Sequence, residues 1–232
     1  MSIKKIYNVE SIKKDQTYEW LMYKHYAKRL PSISYSFGLF KNSILVGVCT
    51  YGIPVSDQLL KCCGESNKIY AIELNRLIKN DNLEKNVQSY FVAQTFKLLP
   101  KPMIIISYSD PNNGHNGYTY QSLNFLYTGK GGGTKEYLIN NKQLHSRHIN
   151  KGWFIKNKLN FDNDLSVPEN FVKVGGEIVR TEMKNRYIMF LGSKKQKKHF
   201  LKNLKYSKKP YPKGNNKNYD TNYKTTTQGG LF

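Results

Sequence analysis

MIIISYSDPNNGHNGYTYQSLNFLYTG, residues 103–129, joins the most apolar run of the chain to a loop dense in polar and aromatic groups. Residues 103–109 are apolar enough for a strand buried on both faces, at the centre of a sheet. Asp110-Pro111-Asn112-Asn113-Gly114 is a strong turn signal. His115 then reads as opening a short helix with Gly117, Tyr118 and Tyr120 in its first turn, and LYTG as the start of another extended segment. Polar groups at the carboxyl end of a central strand are where α/β folds place their sites. Ser107, Tyr108 and Asp110 stand there. Unpaired amides at the helix start attract anions, and rings beside amides and a carboxylate suit an extruded base, which needs a stacking face and hydrogen-bonding edges.

Outward from that stretch the chain alternates slowly. LEKNVQSYFVAQTFKLLP (83–100) predicts an amphipathic helix with Val87, Phe91, Phe96 and Leu99 on one side, ended by Pro100 and Pro102. KIYAIELNRLIK (68–79) predicts a strand with Ile69, Ala71, Leu74 and Leu77 among its apolar positions, and 53–67 a loop. SYSFGLF (34–40) and SILVGVCTYG (43–52) form a hairpin signal around Lys41-Asn42. Residues 15–30 read as a helix capped by Asp15 and stopped by Pro31. Beyond residue 130 a Gly-rich, then polar segment leads to EYLIN as a short strand; 152–183 are weakly patterned, and NRYIMFLG (185–192) is a final strand. The order predicts a single α/β domain with a mixed, mostly antiparallel sheet flanked by helices. This fits the acyltransferase fold that includes the Gcn5-related N-acetyltransferases, in which the acyl donor sits where the middle strands splay.

Composition bounds the partner. The 232 residues carry 37 Lys and Arg against 16 Asp and Glu, a formal charge of +21. Such a balance points to a polyanion, nucleic acid before anionic membrane. Residues 193–232 hold eleven Lys and one Asp, so they read as a basic, partly disordered tail behind a domain of residues 1–192. Cys49, Cys62 and Cys63 are too few for a disulfide framework. With no apolar leader and no run of 18 apolar residues, a reduced, cytoplasmic protein is expected.

Four polar clusters are candidates for chemistry. In KHYAKRLP, His25 and Arg29 are four apart and would share a helix face, with Tyr26 beside them. In IELNRL, strand alternation sends Glu73 and Asn75 to one face and Arg76 with Leu74 to the other. Such groups inside an apolar strand are costly unless partnered. The loop after the central strand supplies Ser107, Tyr108, Asp110, His115, Tyr120 and Tyr127. In LHSRHI, His145, Arg147 and His148 suit a phosphate; His-x-x-His is a weak metal signal, and no metal is expected. There is no Gly-x-x-x-x-Gly-Lys-Ser/Thr and no Gly-x-Gly-x-x-Gly.

KHYAKRLPSISYSFGLF, IELNRLIKNDNLEKNVQSYF, SYSDPNNGHNGYTYQSLNFLYTG, HSRH, KNRYIMFLG and the basic KPYPK occur in this order over roughly residues 20–213. The ordered set resembles the Mom family of phage DNA-modification proteins. The resemblance implies an acetyltransferase-like fold that modifies the exocyclic amine of adenine in double-stranded DNA, with a carbamoylmethyl-type product that blocks restriction enzymes reading that major-groove edge. It implies roles for Tyr26, Arg29, Glu73, Asn75, Arg76, Ser107, Tyr108, Asp110, His115, Tyr120 and Tyr127. Acetyltransferases cradle the donor's pyrophosphate with an Arg/Gln-x-x-Gly-x-Gly/Ala loop, whereas this chain reads NLEKNVQS, without glycine. Asn86, Gln88 and Ser89 are the candidates for anion binding at that helix start, and the donor is left open between acetyl-CoA and another activated glycyl or acyl group. Asp110 or Glu73 is the candidate proton acceptor. Two other readings use the same features: a non-catalytic nucleic-acid-binding phage accessory protein, and a small-amine N-acyltransferase. The first has no need of interior Glu73, Asn75 and Asp110, the second no need of +21.

Overall fold

The structure is a computed structural model that describes residues 2–25, 28–111, 114–131, 135–140, 142–145, 148–180 and 183–214, without the side chains of 143, 145 and 180. Contacts divide the chain into two compact units: Met1–Gly129 with the chain from Asn185 onward, and Lys130–Lys184. The composition-based boundary at 192/193 is not where the contacts divide it.

The first unit contains α1 (Ile3–Ile6), β1 (Tyr7–Ser11), β2 (Tyr35–Lys41), β3 (Ile44–Gly52), α2 (Asp57–Leu60), β4 (Ala71–Lys79), α3 (Val87–Leu98), β5 (Met103–Ser109), α4 (Tyr118–Ser122) and β6 (Leu126–Gly131). The second contains β7 (Lys135–Ile139), β8 (Lys142–His145), α5 (Lys151–Lys156), α6 (Val167–Lys173) and β9 (Glu177–Arg180); β10 (Lys184–Leu191) and α7 (Lys194–Lys202) return to the first. Seven strands make one sheet in the order β1-β2-β3-β4-β5-β10-β6. All its described pairings are antiparallel except β4 with β5, which are parallel. The mixed, mostly antiparallel α/β architecture stands as expected.

The hairpin turns on Asn42 and Ser43, both at positive φ, a backbone twist that matches the flanking strands. Behind the sheet, α3 buries Val87, Phe91 and Val92 against Ile72, Leu74, Cys49, Tyr51 and Ile105. On the opposite face Ala71, Ile104, Ile106, Ile188 and Phe190 pack with Cys62, Cys63 and Phe200 of α7. Farther along that face, Val48 and Ile78 pack with Trp20 and Leu21. The second unit has its own sheet, β8-β7-β9, and its own core of Tyr137, Ile149, Phe154 and Phe171.

Several local expectations are corrected. The predicted 15–30 helix is a 3-10 turn (Lys14–Thr17) followed by a wide turn (Trp20–Lys24), and His25 is already extended at φ −77, ψ 135. His25 and Arg29 therefore share no helix face; the helical path ends at Lys24, and Lys28 is left-handed at φ 40. Ile69 belongs to a 3-10 turn (Glu65–Tyr70) and is exposed, so β4 starts only at Ala71. His115 precedes α4, whose N-cap is Gly117, and α4 is five residues long, too short for a strong positive end. β1, not anticipated, adds an edge strand with only Tyr7 buried. α7 and the strap after it, 203–214, are packed structure within the first unit, although their composition reads as tail. Residues 215–232 lie outside the described residues.

Candidate active site

The β4/β5 ladder runs from Ala71 opposite Ile104 to Leu74 opposite Ser107. The Ser107 hydroxyl donates to Leu74 O at 2.9 Å, closing the last rung. Beyond it β4 continues to Lys79 beside β3, and β5 to Ser109 beside β10, with no pairing between them. The two strands part there.

A β-bulge marks that point. Thr50 pairs with Arg76 and Tyr51 with Leu74, which leaves Asn75 as the extra residue. The bulge shifts the alternation by one: Leu74 and Leu77 both enter the cluster under α3, while Ile78 packs on the opposite side with Trp20 and Val48. Arg76 therefore stands on the same face as Glu73 and Asn75, not with Leu74 as simple alternation predicts. Asn75 is held in place: its amide donates to Ser32 O (2.8 Å) and its Oδ1 accepts from the Thr50 hydroxyl (2.6 Å). Arg76 Nη1 donates to Asn75 O at 2.6 Å.

On that face, across the parting strands, stands Tyr108, which packs with Ile104 and Ile106. Opposite it in register is Arg186 of β10. The guanidinium lies 3.5 Å from the centroid of the Tyr206 ring, and it donates from Nε to Thr128 Oγ1 (2.9 Å) and from Nη2 to Thr128 O (3.1 Å). Burial pushes the Tyr108 phenol up to about 12; the Arg186 charge opposes this and the Glu73 charge adds to it. Both groups are thus close enough to act on Tyr108, which is a protonated donor at neutral pH. The result is a row of Asn75, Arg76, Glu73, Tyr108 and Arg186 where the sheet opens. Arg186, Thr128 and Tyr206 were not singled out from sequence. Arg186 carries the signal used for IELNRL, a charge inside an apolar strand; Tyr206 carries none, lying in a segment read as tail.

Tyr120 and Tyr127 belong to the other face. They flank Tyr187, each ring centroid 5.3 Å from it, in the α3-side core. Tyr127 donates to Asn185 Oδ1 (3.1 Å), and Tyr187 to Asn116 O (2.5 Å). One base cannot stack on Tyr108 and on either of these. Asp110 is buried at the end of β5; its carbonyl accepts from His115 N at 3.0 Å. Burial lowers the His115 pKa from 6.5, opposed by the charge of Asp110. Arg29 is exposed; Tyr26 and Arg147 lie outside the described residues, as does the His145 side chain, whose backbone is in β8 of the second unit.

His115 gives a pH prediction. A folded-state pKa below 6.5 means that the unfolded chain binds more protons as pH drops. The contribution to stability is complete above 6.5 and is lost as pH falls through the lower native value. Thermal melts at pH 8 and at pH 5.5 should show a larger loss in the wild type than in His115→Gln; equal losses would place His115 in a solvent-like setting.

At the start of α3, Asn86 is exposed and left-handed (φ 67), and its side chain makes no cap. No acceptor for the amides of Gln88 and Ser89 is found among the described residues. The Ser89 hydroxyl donates to Asn86 O (3.0 Å). Two open amides at the positive end of a twelve-residue helix fit an anionic group such as a donor phosphate. Asn86 takes the left-handed position that glycine would otherwise fill. Among the described residues no set of three His, Cys, Asp or Glu is placed to hold a metal, and no helix is long and apolar enough to cross a membrane.

A family model described as the Mom protein family matches residues 6–213. A search of curated proteins returned no match. Among solved structures, an N-acetyltransferase from Staphylococcus aureus Mu50 is 12% identical over 80% of this chain and 99% of its own, with a TM-score of 0.42. A probable acetyltransferase from Staphylococcus epidermidis ATCC 12228 is 13% identical over 81% and 100% (0.44). A Bacillus subtilis acetyltransferase in complex with CoA is 13% identical over 81% and 99% (0.42).

Proposed function

The chain belongs to the Mom protein family, and from that premise we propose that it is a DNA-modifying transferase that adds a small acyl or carbamoylmethyl-type group to the exocyclic amine of adenine. The observation that carries the reading is the polar row at the parting of β4 and β5, with Glu73, Arg76, Tyr108 and Arg186 on one face.

The target amine lies inside a base-paired duplex, so the adenine must be extruded. Tyr108 is half-buried and offers a ring and an O–H donor on the Glu73 face. The amine is a poor nucleophile because its lone pair is delocalised into the ring. As its bond to the transferred carbon forms, it must shed a proton. Glu73 accepts that proton, and the leaving group departs with the electron pair of the broken bond. Arg76 and Arg186, on either side, stabilise the negative charge that develops. Just past the end of β5, the Asp110 carbonyl holds the backbone of His115. An activated acyl donor such as acetyl-CoA supplies the electrophilic carbon when bound, and Gln88 and Ser89 would hold its phosphates.

Purified, protein-free DNA from cells making the chain tests this reading. Restriction enzymes whose sites contain adenine should cut it poorly, while enzymes reading only G·C pairs cut it normally. Equal cleavage by both classes would favour a binding protein without transfer activity.

A further inference from the structure

Helix α7, KKQKKHFLK, breaks two electrostatic rules. Lys194 and Lys195 occupy its first turn, where the helix dipole disfavours cations. Lys194 with Lys198, and Lys198 with Lys202, are like charges four residues apart, which repel across a turn. At 3.6 residues per turn these four lysines fall within an arc of about 100°, centred opposite Phe200. All four are exposed, while Phe200 is buried against Tyr70 and Phe190. Lys205, Lys208, Lys209 and Lys213 follow, also exposed, and no acidic residue occurs from 193 to 214. Among the described residues none of these lysines is in an ion pair.

This cationic surface is tied down. Lys205 N donates to Cys62 O and Lys209 N to Tyr127 O, both at 2.8 Å. The Tyr211 hydroxyl donates to Phe125 O (2.7 Å), Gln121 Nε2 to Pro212 O (3.2 Å), and the Tyr118 hydroxyl to Gly214 O. Tyr206 stacks on Arg186, in the polar row itself. A lysine surface that served only solubility would need no such fixed register.

We propose that α7 and the strap 203–214 form a docking surface for the phosphate backbone of duplex DNA, fixed in register with the Tyr108 face. This rests on the DNA reading above and adds that the contact is made by packed structure rather than by the chain beyond Gly214. The surface does not suit insertion into a lipid bilayer: of the apolar residues of α7, Phe200 is spent on the core and only Leu201 is exposed, too little to enter the acyl region.

Anisotropy titrations of a labelled 30-base-pair duplex with the full chain, over a range of salt concentrations, test the proposal. Each phosphate contact contributes about −0.9 to the slope of log K against log salt. The combined Lys194→Gln, Lys195→Gln, Lys198→Gln and Lys202→Gln variant should flatten the slope by about 3–4 on that scale. Arginine at the same four positions should keep the slope, which controls for folding. Lys217→Gln with Lys224→Gln should change it by no more than about 1. A quadruple variant with the wild-type slope, a loss of about 2 from Lys217→Gln with Lys224→Gln, or tighter binding to anionic vesicles than to duplex would overturn the proposal. Binding that depends on α7 while adenine stays unmodified would sustain the surface and overturn only the transfer reading.

Discussion

Glu73→Gln is expected to lower the yield of modified adenine by about 10²- to 10⁴-fold, the usual range for loss of a general base, while duplex binding is unchanged. Gln keeps the size of Glu and one acceptor oxygen, but it replaces the other oxygen with an NH2 donor and cannot take up a proton. The case for Glu73 over Asp110 is positional: Glu73 shares a face with Asn75, Arg76 and Tyr108, and its charge acts on the Tyr108 phenol. Asp110 is buried at the strand's end, with its charge acting on His115. The comparison is made by quantifying modified nucleoside in DNA from cells making each variant at matched protein levels. If Glu73→Gln modifies normally and Asp110→Asn does not, the two carboxylates exchange roles.

The second large effect is on stability. Gly117 is left-handed at φ +79, and a Cβ built there would lie 2.5 Å from Tyr187 Cε2. Its carbonyl accepts from Tyr120 N (2.9 Å) and Gln121 N (3.0 Å), so the turn cannot simply relax. Left-handed strain and overpacking against a buried ring together predict a loss of about 2–4 kcal/mol for Gly117→Ala. For a chain of this length that is a fall in Tm of roughly 5–15 °C. Gly175→Ala is the control: its φ is +85 but nothing lies within 4 Å, so only the backbone term of about 1 kcal/mol applies. Similar losses for the two variants, measured by calorimetry, would show that the packing of Gly117 on Tyr187 contributes little.

The central strand was legible to the residue, because a run buried on both faces needs no partner to identify it. The hairpin was legible because Asn42 supplies one of its two positive-φ positions. Glu73, Asn75 and Arg76 announced themselves as polar groups in an apolar strand, but their common face did not: the bulge is set by pairing with Thr50 and Tyr51, and pairing is not written in β4 alone. Tyr108, Tyr120 and Tyr127 are indistinguishable as a run of tyrosines, and only the sheet separates the first from the other two. The order of 193–214 was hidden by composition. Its anchors, Phe200, Tyr206 and Tyr211, are three aromatic residues whose partners lie in β10 or, for Tyr211, 86 residues back at Phe125. The second unit was missed because each of its elements is short and its core is assembled from strand and helix residues 137 to 171.

Nucleoside mass spectrometry of plasmid DNA from cells making the wild-type chain tests the central claim most directly. A deoxyadenosine of increased mass, with the addition on the exocyclic amine and absent from cells making Glu73→Gln, is the result predicted. Unaltered deoxyadenosine throughout, in cells where the folded protein is abundant, would contradict it.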